Sequence, residues 1–117
     1  MGSAKSGTGH WRAQRVSALA LIPLALWFLL SLLALRSLDY AVARAWLARP
    51  VSVLLASLLI VVLAYHSYLG TKVVVEDYVH APGAKLLSLI ALRFLHVLAG
   101  GAGLLAILHI GIGTAAS

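Results

Sequence analysis

The sequence predicts an all-α fold made of three transmembrane helices. Of 117 residues, 62% are hydrophobic and only 10% are charged, and the mean hydropathy is strongly positive. A soluble domain of this length has too few charges to cover so much apolar surface, whereas lipid solvates it directly. The apolar residues also gather into three runs, each matched to a hydrocarbon core about 30 Å thick.

The first run extends from Val16 to Leu35 and lies between Arg15 and Arg36. Its roughly 20 residues, at about 1.5 Å each, suffice to cross a bilayer. Pro23 lies inside it and is expected to kink the helix, freeing a carbonyl that its surroundings must accommodate. The second run, Val51 to Gly70, opens with Arg49-Pro50, which puts proline in a first turn where its missing N–H costs nothing. Lys72 stands just beyond its other end. The third run, Leu86 to Ile112, follows the breaker Ala81-Pro82-Gly83. Arg93 interrupts it early and must snorkel to the interface or meet an anionic group. The chain thus divides into a polar segment, 1–15, and a three-helix unit, 16–117. Gly100-Gly101-Ala102-Gly103, with Ala99 and Gly103 four apart, lets helix backbones approach closely. That approach serves packing within the chain or docking on another membrane subunit; a bundle of only three helices favours some of the latter.

Nine Lys and Arg against three Asp and Glu give a net charge of +6. The basic residues bracket the apolar runs, so they set topology and meet headgroups; no basic stripe with interleaved aromatics points to nucleic acid. With no cysteine, the chain holds no disulfide, thiolate metal site or iron–sulfur cluster of its own. The N-terminal residues lack the apolar core of a signal peptide and the Arg content of an organellar transit peptide, which favours a bacterial inner membrane over a mitochondrial one. Lys5, Arg12 and Arg15 favour a cytoplasmic N terminus, although Arg36, Arg44 and Arg49 in the first loop weigh against it. In that orientation Asp77 and Tyr78 are cytoplasmic too.

Candidate chemistry concentrates between His66 and His80. His66 lies a little over one turn inside the second run, where a histidine is costly unless it faces a partner, cavity or cofactor. Neutral imidazole is a good axial ligand for haem iron; a histidine hydrogen-bonded to a neighbouring helix is the equally open alternative. Gly70, one turn on, leaves room for a neighbouring helix or a macrocycle. Asp77 follows His66 by eleven residues, so on a continuous helix it would return almost to the same face about 16 Å along the axis. Tyr78 is beside it. A phenol can donate to a quinone carbonyl with a carboxylate orienting it or delivering protons. On spacing alone, an interfacial tyrosine and a solvated aspartate account for the pair better. His96 lies deeper in the third run, within reach of an internal His66–His96 haem site. His109 lies near the opposite surface, and His10 and His80 lie outside the spans. All three acids lie outside the predicted spans, which argues against a proton-coupled transporter.

His66, Gly70, Asp77 and Tyr78 together resemble the second helix of the small D-type membrane anchor of succinate dehydrogenase. In that family, His is followed by Gly four residues on and by Asp-Tyr at eleven and twelve. Chain length, three spans and the approach His10-Trp11-Arg12-Ala13-Gln14-Arg15 agree with it. The resemblance implies half of a heterodimeric anchor bundle, with a C-type cytochrome b anchor as partner. It implies a haem b held by His66 and by a histidine of that partner, with Arg15 near the propionates or the quinone pocket. It implies a ubiquinone headgroup on Tyr78, supported by Asp77. FAD and iron–sulfur clusters would reside in the flavoprotein and iron–sulfur subunits, which oxidise succinate outside the membrane. A haem-free structural or assembly subunit, or a cytochrome b-type anchor of a fumarate reductase, is the alternative.

Overall fold

The computed structural model describes residues 2–116, and the side chains of 8–113. Four helices follow one another: α1 (Gly2–Ala34), α2 (Tyr40–Leu47), α3 (Pro50–Tyr78) and α4 (Pro82–Ala116). The described residues contain no strand. Within α1, α3 and α4 the stretches Thr8–Ala34, Pro50–Tyr78 and Pro82–Gly113 are long and apolar enough to cross a membrane. The three expected spans are therefore present.

Their ends differ from the expected ones. α1 begins at Gly2, so the polar segment is the first turns of the first helix, and it continues through Pro23 to Ala34. α3 runs past Gly70 to Tyr78. No glycine or proline stands between Thr71 and Tyr78, and extending an existing helix costs far less than starting one. Thr71 stays in the helix by donating its hydroxyl to the Ser67 carbonyl, at 2.6 Å. The chain leaves the helix at Val79, in an extended conformation, and Pro82 opens α4. The loop expected between the second and third spans is thus reduced to three residues, 79–81.

α2 fills what reads in the sequence as a loop. It is amphipathic, with Arg44 on its polar side and Trp46 buried. Trp46 meets Trp27 and Phe28 of α1 in tilted ring contacts, at centroid distances of 5.6 and 5.9 Å. Such aromatic contacts add to what area burial alone supplies. Arg49 is extended, as a residue before proline is biased to be, and this turns the chain into α3.

α3 lies in the middle, with α1 and α4 on either side of it; among the described residues, α1 and α4 do not pack on each other. On the α4 side, Val53, Ala56, Ile60, Ala64 and Ser67 recur three and four apart, as a helix seam requires. Opposite them run Gly111, Gly103, Gly100 and His96 in antiparallel order. A Cβ on Gly100 would come within 3.3 Å of the Ala64 Cβ, and one on Gly111 within 2.8 Å of a Val53 methyl. The small-residue patch therefore serves packing within the chain at Gly100 and Gly103, with Gly111 completing it. Gly101 faces open space. Large apolar side chains remain widely uncovered (Leu33 is 82% exposed), as expected of a chain solvated by lipid and neighbouring subunits.

Gly111→Ala is expected to destabilise the helix pair by about 1–3 kcal/mol, because the stiff Val53 side chain must give way. Gly101→Ala should be neutral or slightly stabilising. Denaturant-induced unfolding in detergent checks the contrast; equal effects would contradict the assigned seam.

Candidate functional site

The first consequence of the long α3 is that His66, Asp77 and Tyr78 share one rigid helix. Eleven residues bring Asp77 to within about 20° of the His66 direction, roughly 16 Å along the axis. Tyr78 ends the helix, 78% exposed, and Asp77 is exposed beside it. The Tyr78 hydroxyl has no hydrogen-bond partner among the described residues.

His66 is partly buried against α1. Its Nδ1 lies 2.8 Å from the Ser17 Oγ. Ser17 is itself buried, at 6% exposure, and its Oγ donates to the Gln14 carbonyl at 3.0 Å. On the same side of α1, His10 Nε2 lies 3.3 Å from the Leu69 carbonyl and can only donate to it. Gln14 faces Gly70, and its Oε1 is buried without a donor among the described residues. His10, Gln14 and Ser17 stand at i, i+4 and i+7, so they form one polar stripe turned toward α3. Sequence reasoning passed over Ser17 and Gln14. The signal was there in that periodicity, running from the interface into an apolar helix.

Gly70 is not required by packing inside the chain. A Cβ there would meet nothing closer than Gln14 Nε2 at 3.7 Å, an ordinary contact. Beside it, His66 Nε2 has no partner among the described residues. A free imidazole nitrogen on an apolar helix, one turn from a glycine that borders Gln14, fits one half of a bis-histidine haem site. No group of three or more His, Asp or Glu that could hold a metal ion exists among the described residues.

His96 belongs to a separate cluster. Its Nδ1 donates to the Leu92 carbonyl at 2.9 Å, which leaves Nε2 to accept from the Ser67 hydroxyl at 3.1 Å. Its ring meets Tyr68 edge-on at 5.7 Å, and Arg93 reaches the Tyr68 hydroxyl at 3.5 Å. These residues border an apolar groove of about 450 Å³ between α3 and α4. His66 faces α1, whereas His96 projects from α4 onto the other side of α3, and both His96 nitrogens are engaged. An internal His66–His96 pair is therefore not formed.

The arginines of α1 also separate. Arg12 lines a groove of about 510 Å³ between α1 and α3, together with Ser17, Val62 and Tyr65. Arg15 is exposed, with its guanidinium 5.2 Å from the centre of the Trp11 ring, about 200° around the helix from Ser17. Neither groove is lined by Asp77 or Tyr78.

Three apolar spanning helices with little interior of their own define a multi-pass membrane anchor. The family described as succinate dehydrogenase/fumarate reductase transmembrane subunit matches residues 1–100. A succinate dehydrogenase hydrophobic membrane anchor subunit of Rickettsia bellii is 33% identical over 110 residues, covering 94% of this chain and 88% of that protein. Anchor subunits of the same description from Rickettsia conorii and Paracoccus denitrificans are 37% and 33% identical over 79 and 78 residues. Those matches cover 67% of this chain in both cases, and 63% and 60% of the relatives. The chain belongs to this family of membrane-anchor subunits, and so serves an enzyme complex rather than acting alone.

His96→Ala is expected to cost about 1–2 kcal/mol of stability by leaving the Ser67 hydroxyl without its acceptor. The same unfolding measurement in detergent checks it; an unchanged midpoint would mean the contact contributes nothing.

Proposed function

We propose that this chain is the D-type anchor of a succinate:quinone oxidoreductase, holding one side of a haem b and one wall of a ubiquinone site. The observation that carries the reading is the free Nε2 of His66 beside Gly70, on the helix that ends in Asp77 and Tyr78. The second axial histidine would come from a C-type cytochrome b anchor, because His96 has both nitrogens in use. The flavoprotein and iron–sulfur subunits would dock on the side of Tyr78, where the first turns of α1 and α4 and the end of α3 lie together.

His66 and Gly70 would hold the haem, which supplies a one-electron store close to the quinone. Arg15, expected near a propionate or the quinone pocket, stands over Trp11 on the side of α1 away from Ser17. Arg12 instead lines the α1–α3 groove with Ser17 and would be the better placed cation. Tyr78 would donate its hydroxyl proton in a hydrogen bond to a quinone carbonyl. Asp77, its sequence neighbour at the helix end, would orient that phenol and help bring protons from the aqueous side. Both groups stand at the end of α3, beyond the apolar run, so the proton would be resupplied from the adjoining aqueous side without crossing the bilayer. With the N terminus cytoplasmic in a bacterial inner membrane, protons for quinone reduction would be taken from the cytoplasm. Succinate chemistry itself would belong to the soluble subunits.

Two substitutions test this reading. His66→Ala is expected to abolish the low-spin haem spectrum of the assembled complex, whereas His96→Ala should leave it intact; an unaltered spectrum in the first variant would defeat the ligand assignment. Tyr78→Phe is expected to slow quinone reduction about 10-fold or more. Succinate oxidation by a soluble artificial acceptor should survive, and equal loss of both activities would instead signal failed assembly.

A further inference from the structure

The Ser17 hydroxyl has one proton and two close neighbours. Its Oγ lies 3.0 Å from the Gln14 carbonyl and 2.8 Å from His66 Nδ1. A carbonyl oxygen has no proton to give, so the Ser17 proton must lie toward it if that contact is to be a hydrogen bond. The Oγ then presents only lone pairs to His66. Nδ1 must carry the ring proton, and Nε2 keeps the lone pair. The burial of Ser17 removes water as an alternative partner.

We infer that Ser17 is a positioning residue for the His66 ligand: it fixes the tautomer with Nε2 unprotonated and locks the ring plane against α1. This inference rests on the haem reading above and deepens it. An imidazole that donates through its second nitrogen is a stronger base at the first, and its orientation is held. Ser17 therefore raises the electron donation available at Nε2 and favours the oxidised state of a bound iron. Gln14 acts one step further back. Its carbonyl, part of α1, directs the Ser17 proton away from His66. The chain Gln14 carbonyl, Ser17 hydroxyl, His66 Nδ1, His66 Nε2 thus runs from the backbone of one helix to the open coordinating nitrogen of the next.

The test uses the purified, detergent-solubilised complex with Ser17→Ala, Ser17→Thr and His66→Ala, read by redox titration of the haem and by carbon monoxide binding. Ser17→Ala removes a single oxygen, so a correctly assembled complex is expected. Its haem midpoint potential should rise, carbon monoxide should bind a larger fraction of the reduced haem, and haem affinity should fall about 10-fold. Ser17→Thr retains the hydroxyl and should restore the parent potential. A merely structural role for Ser17 would lower the yield of complex and leave the potential of the surviving haem unchanged. Loss of haem in His66→Ala, combined with parent potential and carbon monoxide behaviour in Ser17→Ala, would overturn the role of Ser17 and leave the haem reading intact. Haem that persists in His66→Ala, or no haem in the parent complex, would overturn both.

Discussion

A polar nitrogen inside a bilayer has to find its partner in protein, because lipid offers none. That requirement organises the α1–α3 interface. Ser17 is buried and hydrogen-bonded to His66 and Gln14, and His10 meets the Leu69 carbonyl one turn nearer the surface. Lipid supplies no hydrophobic drive between helices, so contacts of this kind and close backbone approach are what bind one helix to the next. On the other side of α3 the same logic takes a different form. There Gly100, Gly103 and Gly111 bring α4 against Ala64, Ile60 and Val53, with His96 and Ser67 closing the seam toward the surface.

α3 is therefore gripped on both sides along much of its length, which suits it to carry the groups proposed to act. Because it remains helical to Tyr78, the separation of His66 from Asp77 and Tyr78 is set by helix geometry rather than by a loop. The free edge of His66 and the exposed helix end then become two stations on one rod. Most of the surrounding apolar surface is uncovered by this chain. The bilayer and the other subunits of the complex supply the rest of the enclosure.

Much of this was legible in the residues. Three apolar runs with basic flanks define three spans, and His66, Gly70, Asp77 and Tyr78 carry the resemblance to the membrane-anchor family to which the chain belongs. What escaped the sequence had physical causes. Thr71 to Glu76 is polar enough to suggest a loop, yet it contains no residue that stops a helix already under way. α2 is only eight residues long, too short to announce itself by periodicity, and it is held by Trp46 against Trp27 and Phe28. Ser17 looked like one small polar residue among many. Only its position on a stripe with His10 and Gln14, opposite a particular histidine, gives it a role. Gly103 was legible as a contact residue, but its partner, Ile60, depends on a register that the sequence does not reveal.

The central claim is that this chain contributes one axial ligand, and only one, to a haem shared with a partner. The direct measurement is a dithionite-reduced minus oxidised spectrum of the complex isolated through a tag on this chain, with haem quantified per copy of the chain. The account predicts a sharp b-type α band, one haem per chain, and bleaching of flavin in the same sample. An intact complex with no haem band, or with haem retained when this chain is isolated without its membrane partner, would contradict it.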